Sequence, residues 1–352
     1  MFFASDNTAG VLPQVLDAVG EAMAGFAPSY GTDDLTDQVT EAFCDLFGRE
    51  VHVLPMATGT AANALSIASV TPPWGVVFCH RIAHVMADEC GASEFYTDGA
   101  KLIGIGGDGA KMGGDAVETM LKAYLPHEPH SGRPTTLSLT QATECGQIYT
   151  VDEVRRIAGL AHDRGMAVHM DGARFANAVA ALGCAPADVT WKAGVDILSF
   201  GATKNGCLAA EAIVVFDKAN LDDMKFRRMR AGHLLSKSRF LAAQLLAYVK
   251  DGLWLETAGH ANAMAARLSS GIVDGGHGRL AWPTEINEVF AIIPKASAER
   301  LSAAGALFHE WAFPTMDPVE KTEDEVLVRM VASFATTDTH VDDVLRVLGS
   351  NN

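Results

Sequence analysis

Positive charge is scarce in this sequence. Its 27 lysines and arginines face 43 aspartates and glutamates, for a net charge of −16. That balance argues against a nucleic-acid partner, whose phosphates need basic surface. The six cysteines, at 44, 79, 90, 145, 184 and 207, are scattered and form no C-x-x-C pair. They read as reduced thiols of a core or a site in a cytosolic protein. No apolar run is long enough to span a bilayer. The opening Met1-Phe2-Phe3-Ala4-Ser5-Asp6 has no basic region leading into an apolar core, so no signal peptide is expected and the cytoplasm is the default. There is no Gly-x-x-x-x-Gly-Lys-[Ser/Thr] phosphate loop, no internal repeat and no low-complexity tract.

What is present is a chain of 352 residues, 49% of them hydrophobic, enough for one large domain and a smaller one. Up to Phe216 strands and helices alternate, which predicts a mainly parallel sheet covered by helices on both faces. A long, mostly helical stretch is expected from about Leu221 to Val249, broken by Gly252. Helix, strand, helix, strand, helix should follow, with strands at Glu288–Ile293 and Val326–Val331 and a last helix from Asp338 or Thr339 to just before Gly349. The expected units are 1–250 and 251–352.

Three segments carry chemistry. Ile197-Leu198-Ser199-Phe200-Gly201-Ala202-Thr203-Lys204 reads as a buried strand running into a tight loop. A lysine confined there loses hydration and becomes an amine able to form a Schiff base. Taken alone, a strand-terminal lysine more often snorkels to water. Residues 166–170 read as a short strand after a helix at Val151–Arg164, and Asp171 falls at its C-terminal end, where open α/β sheets bind ligands. On its own, Asp171-Gly172 would be a turn or a cap. Together the two residues fit pyridoxal phosphate, which needs a lysine for its aldehyde and a carboxylate for its ring nitrogen. The third segment is Thr58-Gly59-Thr60-Ala61-Ala62-Asn63, small residues between a strand at 51–56 and a helix, a place for a phosphate or a plain N-cap.

The ordered set of segments resembles the low-specificity threonine aldolases, pyridoxal-phosphate enzymes of the aspartate-aminotransferase-like fold (fold type I). The resemblance rests on Ser5-Asp6-Asn7, Tyr30-Gly31-Thr32-Asp33-Asp34, Thr58 to Asn63, Ala83-His84-Val85 with Asp88-Glu89-Cys90-Gly91-Ala92, Asp171-Gly172-Ala173-Arg174, Thr203-Lys204 and Leu327-Val328-Arg329-Met330. It implies an α/β large domain with a mainly parallel sheet and a smaller α/β C-terminal domain. It implies cleavage of β-hydroxy-α-amino acids such as L-threonine, L-allo-threonine or phenylserine to glycine and an aldehyde. Lys204 would hold the cofactor, with Thr203 beside it. Asp171 would meet the pyridine nitrogen, Gly59 and Thr60 the phosphate. His84 would stack on the ring and orient the substrate hydroxyl, with His130 as a second active-site histidine. Ser5, Arg174 and Arg329 would bind the substrate carboxylate, as arginine forks do well. A homodimer or homotetramer with shared sites is implied, in which Tyr30, and Lys237 as a phosphate contact, would come from the neighbour.

The chain departs from that family at two places. Thr140-Gln141-Ala142-Thr143-Glu144-Cys145-Gly146 replaces a segment that often carries a histidine, and Arg230-Ala231-Gly232-His233-Leu234-Leu235-Ser236-Lys237 replaces a glycine-rich one. Another pyridoxal-phosphate enzyme, an aminotransferase or a β-eliminating lyase, and a non-catalytic binder of the cofactor are the rival readings. Gly104-Ile105-Gly106-Gly107-Asp108-Gly109 satisfies the dinucleotide pattern, but the acid about 20 residues on is Glu128 in the loop Pro126-His127-Glu128-Pro129. A glycine-rich surface turn is expected instead. His80-x-x-x-His84 has Arg81 where a metalloprotease has glutamate, and His127-x-x-His130 lacks a third ligand, so no catalytic metal is expected.

Overall fold

The computed structural model describes residues 1–124, 127–217, 221–312 and 318–350. Pro126 of the loop before His127 lies outside them. The main sheet has seven strands: β1 (His52–Met56), β2 (Gly75–His80), β3 (Lys101–Ile105), β4 (Arg133–Thr140), β5 (Ala167–Gly172), β6 (Ile197–Gly201) and β7 (Glu211–Val215). They lie in the order β1-β7-β6-β5-β4-β2-β3. All run one way except β7, which pairs antiparallel with both β1 and β6. The strand sequences are apolar on both faces because helices cover both, and β2, β6 and β7 are buried along their whole length.

Local chemistry sets the helix starts. Thr150 caps Val151–His162 in a reciprocal box with Glu153. Asp33 caps Asp34–Phe47 through the Thr36 amide, and Thr58 caps Gly59–Val70 through the Ala61 amide. Each cap satisfies a backbone donor that the helix cannot.

A smaller sheet follows, from β8 (Arg279–Leu280), β9 (Glu288–Pro294), β10 (His309–Glu310) and β11 (Glu325–Val331), in the order β10-β11-β9-β8. The helix Leu253–Asp274 serves both halves. Trp254 and Ala258 join the large core, and Ala265, Leu268 and Ile272 join the small one. The N-terminus also packs on the small sheet: the Phe3 amide donates to the Leu307 carbonyl, and the Val331 amide donates to the Phe3 carbonyl.

Three expectations need correction. Residues 221–249 form two helices, Leu221–Arg230 and Arg239–Val249, because Gly232 adopts φ +73° and turns the chain. The last helix, Asp338–Gly349, runs through its glycine. The Gly104–Gly109 segment is a packed turn: Gly109 is buried, and a Cβ at Gly107 would sit 1.7 Å from the Lys111 carbonyl oxygen. Those glycines permit close backbone approach, and only the 3-10 turn Asp108–Ala110, no α-helix, opens inside the motif. Among the described residues no helix is long and apolar enough to cross a membrane.

Candidate active site

Because β1 to β6 run one way, the segments that follow them emerge at one edge of the sheet. Asp171, near the end of β5, pairs in register with Thr140 and Ser199. The turn after β6 carries Lys204. β7 is reversed, so its first residue, Glu211, reaches the same edge, in register with Gly201 and Met56. A cavity of about 310 Å³ opens there, and Thr58, Gly59, Thr60, His84, Asp171, Arg174, Thr203 and Lys204 all line it. A larger surface groove, about 650 Å³, between Pro13–Ala22 and Arg239–Val249 gathers none of them.

The lysine turn stands on an aromatic floor. Phe200 packs against Phe43, Trp254, Phe175 and Tyr248, with centroids 5.0 to 6.2 Å apart. Next to Lys204, the Asn205 amide donates to the Tyr248 hydroxyl at 2.7 Å and to the Trp254 carbonyl at 2.8 Å. The Thr203 hydroxyl bridges to the Ala210 backbone. Gly201 is required by close approach: a Cβ there would lie 2.6 Å from the Ala173 carbonyl oxygen. No hydrogen bond or ion pair from a described residue engages the Lys204 ammonium.

A polar chain runs across the opposite wall. The Asp171 carboxylate accepts from the Ala173 amide at 3.0 Å and from Asn63 at 2.8 Å. The same Asn63 nitrogen lies 2.9 Å from Glu89 Oε1, which lies 2.9 Å from His84 Nδ1. That bond to Glu89 raises the affinity of His84 for its proton. The His84 amide donates to Glu144 Oε1 at 2.7 Å. Burial pushes Glu144 up to about 7, and pushes Glu211 up to about 7 as well. Beneath Asp171, His169 is fixed between Ser138 and Ser199, each at 2.9 Å, and burial lowers it to about 4.

The phosphate-sized end is the start of Gly59–Val70. Its first intrahelical bond runs from the Ala62 amide to the Thr58 carbonyl. The amides of Gly59 and Thr60 are therefore outside the ladder, at the positive end of the helix dipole. A Cβ at Gly59 would meet nothing within 4 Å, so the entrance is open. The cavity thus offers a lysine without a partner, a buried carboxylate across from it, and a helix N-terminus. That set fits the cofactor named above.

The residues expected to bind a carboxylate gather at this cavity. Arg174 forks onto Asp6, Nε to Oδ2 at 2.8 Å and Nη2 to Oδ1 at 2.9 Å. Ser5 borders this pair, its hydroxyl 3.4 Å from Asp6 Oδ1. Arg329 reaches in from β11, with Nη2 donating to the Ala4 carbonyl and its guanidinium 4.4 Å above the Trp311 ring.

Three expected residues stand elsewhere. His130 is exposed in the turn before β4 and contacts His127. It lies at the N-terminal edge of the sheet, roughly 23 Å of strand away from Thr140 at the cavity, so within one chain it is not an active-site residue. Tyr30 and Lys237 sit near each other, the Tyr30 amide donating to the Ser236 carbonyl. Both are exposed and outside the cavity. Sequence reasoning missed the roles of Asp6, Asn63, Glu89, Glu144, Glu211 and Glu288. The first four were within quoted motifs, but nothing marked their side chains as inward-facing.

The sequence profile of the beta-eliminating lyases matches residues 3–294. The chain is 41% identical over 308 residues to the low specificity L-threonine aldolase of Pseudomonas sp. (strain NCIMB 10558), covering 87% of this chain and 88% of that one. It is 40% identical over 307 residues to the low specificity L-threonine aldolase of Pseudomonas aeruginosa, with the same coverage. The threonine aldolase of Leishmania major superposes with a TM-score of 0.90 at 25% identity, over 99% of this chain and 98% of that one.

Proposed function

Since the chain belongs to the beta-eliminating lyase family and, within it, to the low-specificity L-threonine aldolases, we propose that it cleaves β-hydroxy-α-amino acids to glycine and an aldehyde with pyridoxal phosphate, on the fold-type-I scaffold. The observation that carries the reading is one cavity holding Lys204, Asp171 and the Gly59–Thr60 helix start.

Lys204 supplies the anchoring amine. Asp171, held by Asn63 and the Ala173 amide, would meet the ring nitrogen and keep its proton in place. The amides of Gly59 and Thr60 take the phosphate. Bound there, the cofactor supplies an electron sink for the pair released at Cα when Cα–Cβ breaks. Arg174 and Arg329, with Ser5, hold the substrate carboxylate and so set which Cα bond is presented for cleavage. His84, which lines the cavity, would flank the cofactor ring and orient the β-hydroxyl. Its bond to Glu89 favours the protonated imidazole, which makes it a donor. Glu144, near 7, is matched to neutral pH as the group that receives the hydroxyl proton.

The exposed pairing of Tyr30 with the 236–237 turn supports a homodimer or homotetramer in which each chain completes a neighbour's site. The two cores support a cofactor-binding unit of 1–250 and a smaller unit of 251–352. A cytoplasmic location is part of the same proposal.

The test is product analysis with L-threonine, L-allo-threonine and phenylserine, using Lys204→Ala as control. Equal amounts of glycine and aldehyde, lost in Lys204→Ala, support the reading. A keto acid would make the protein an aminotransferase, and ammonia with a keto acid would make it an eliminating lyase.

A further inference from the structure

Beside the carboxylate-binding pair lies an acid that the reaction above does not use. Glu288 opens β9, with its side chain fully buried and Oε1 3.4 Å from Arg174 Nη1. Neither of its oxygens has a hydrogen-bond partner among the described residues. Four charged groups act on it: Arg174 from the segment after β5, Arg329 from β11, Asp6 from the N-terminal segment and Lys204 from the turn after β6. Asp88 acts in turn on Arg329, and Glu144 on Arg174.

In the cofactor-loaded protein, where Lys204 would no longer be a free ammonium, Arg174 and Arg329 are balanced by Asp6 and Glu288 when all four of these are ionised. A substrate carboxylate arriving at the arginines adds one negative charge to a buried cluster, which is costly unless a proton follows it. Asp6 is a poor acceptor for that proton. Its two bonds from Arg174, with a third from Asn287 at 3.1 Å, outweigh its burial and hold it below the usual carboxylate range. Glu288 has one long contact and no hydrogen bond, and burial raises its proton affinity.

We propose that Glu288 takes up one proton from solvent when a carboxylate ligand binds Arg174 and Arg329, so that substrate binding is linked to pH through an acid that does not touch the reacting atoms. Once neutral, Glu288 releases the Arg174 Nη1 edge to the ligand and keeps the cluster's charge unchanged. Glu288 is thus a positioning residue acting through Arg174, and the inference rests on the carboxylate-binding reading given above.

The test uses the cofactor-loaded protein and 3-hydroxybutyrate, a hydroxy acid without an amine, which engages the arginines with no chemistry at the cofactor. Calorimetric titration in two buffers of different ionisation enthalpy counts the protons taken up. The expected result is net uptake approaching one proton per site in the unmodified protein above neutrality. The dissociation constant there should weaken by about tenfold per pH unit on the alkaline side. Glu288→Gln should bind with no uptake and no such slope, while Glu288→Asp keeps uptake. Binding without uptake in the unmodified protein, or uptake unchanged in Glu288→Gln, overturns the inference and leaves the carboxylate site standing. Failure of the unmodified protein to bind removes the arginine site itself and the inference with it. Where Glu288→Gln does not fold, absence of uptake in the unmodified protein still overturns the inference, and Glu288→Asp keeps it testable, since the shorter acid should move the pH range of uptake only if position 288 is the acceptor.

Discussion

Beneath Lys204 and around it, the protein uses opposite materials. The floor is Phe43, Phe175, Phe200, Tyr248 and Trp254, each at most 1% exposed, and its polar atoms are paired through Asn205. The rim is acidic and under-bonded. One oxygen of Glu89, one of Glu144 and both of Glu288 are buried with no hydrogen-bond partner among the described residues. Rings in edge-to-face contact fix where the lysine stands. Acids buried without full compensation have proton affinities moved toward neutral pH, where protons can be exchanged. Position is thus specified by packing, and proton inventory by incomplete pairing.

The floor should therefore dominate stability. Phe200→Ala is expected to cost about 3–5 kcal/mol, read as a lower denaturant midpoint at constant slope, with weaker retention of pyridoxal phosphate. A cost no larger than that of Glu144→Gln would break the contrast, since the floor would then be no more specific than the rim.

The rim should work against folding as pH rises. Glu144 and Glu211 stand at about 7 in the native chain, against 4.5 for an ordinary glutamate. Between those values the native state holds more protons than the unfolded one, so stability falls with increasing pH. The loss is fully developed above about 7 and is at most of the order of 3 kcal/mol per acid. Thermal melts of the cofactor-free protein should move down between mildly acidic and mildly alkaline buffer. Glu144→Gln and Glu211→Gln should each flatten that dependence, and a slope unchanged in both variants would remove the rim's role.

Glu144→Gln should also slow glycine formation by about 10²-fold, the usual scale for loss of one general base. Activity limited by ionised Glu144 rises with pH through about 7, and that limb should vanish in the variant. A variant that keeps both rate and limb would return the proton to His84.

The sheet edge that carries the site was legible in the sequence, while the floor and the rim were hidden for identifiable reasons. The apolar runs of β5 and β6, ending in Asp171 and Lys204, located the sheet edge correctly because parallel strands leave few alternatives. The strand-to-helix turn was readable because Thr58 caps the helix just after β1 ends at Met56. The acids were not readable. Glu211 reaches the edge only because β7 is reversed, and nothing in Glu211-Ala212-Ile213-Val214-Val215 declares its direction. Glu288, on β9, is set beside Arg174, in the segment after β5, a relation with no local pattern. The aromatic floor draws on five separate elements, so its members look like ordinary core positions. Leu221–Val249 read as a mostly helical stretch, and the break at Gly232 within it was not marked.

His130 gives the smallest expected effect and the sharpest boundary to the comparison. It belongs to neither floor nor rim: it is exposed and precedes Arg133, the first residue of β4, while the cavity begins at Thr140. An exposed turn residue away from the core changes stability by no more than about 0.5 kcal/mol, and a group that strand length keeps from the cavity cannot hold a proton for it. His130→Ala should thus leave melting temperature and turnover nearly unchanged. The informative departure is turnover that falls while melting holds. A side chain this far out can reach a cavity only by entering that of another copy, so such a split would place His130 in a neighbour's site together with Tyr30 and Lys237. The rim would then be built from two chains and the floor from one.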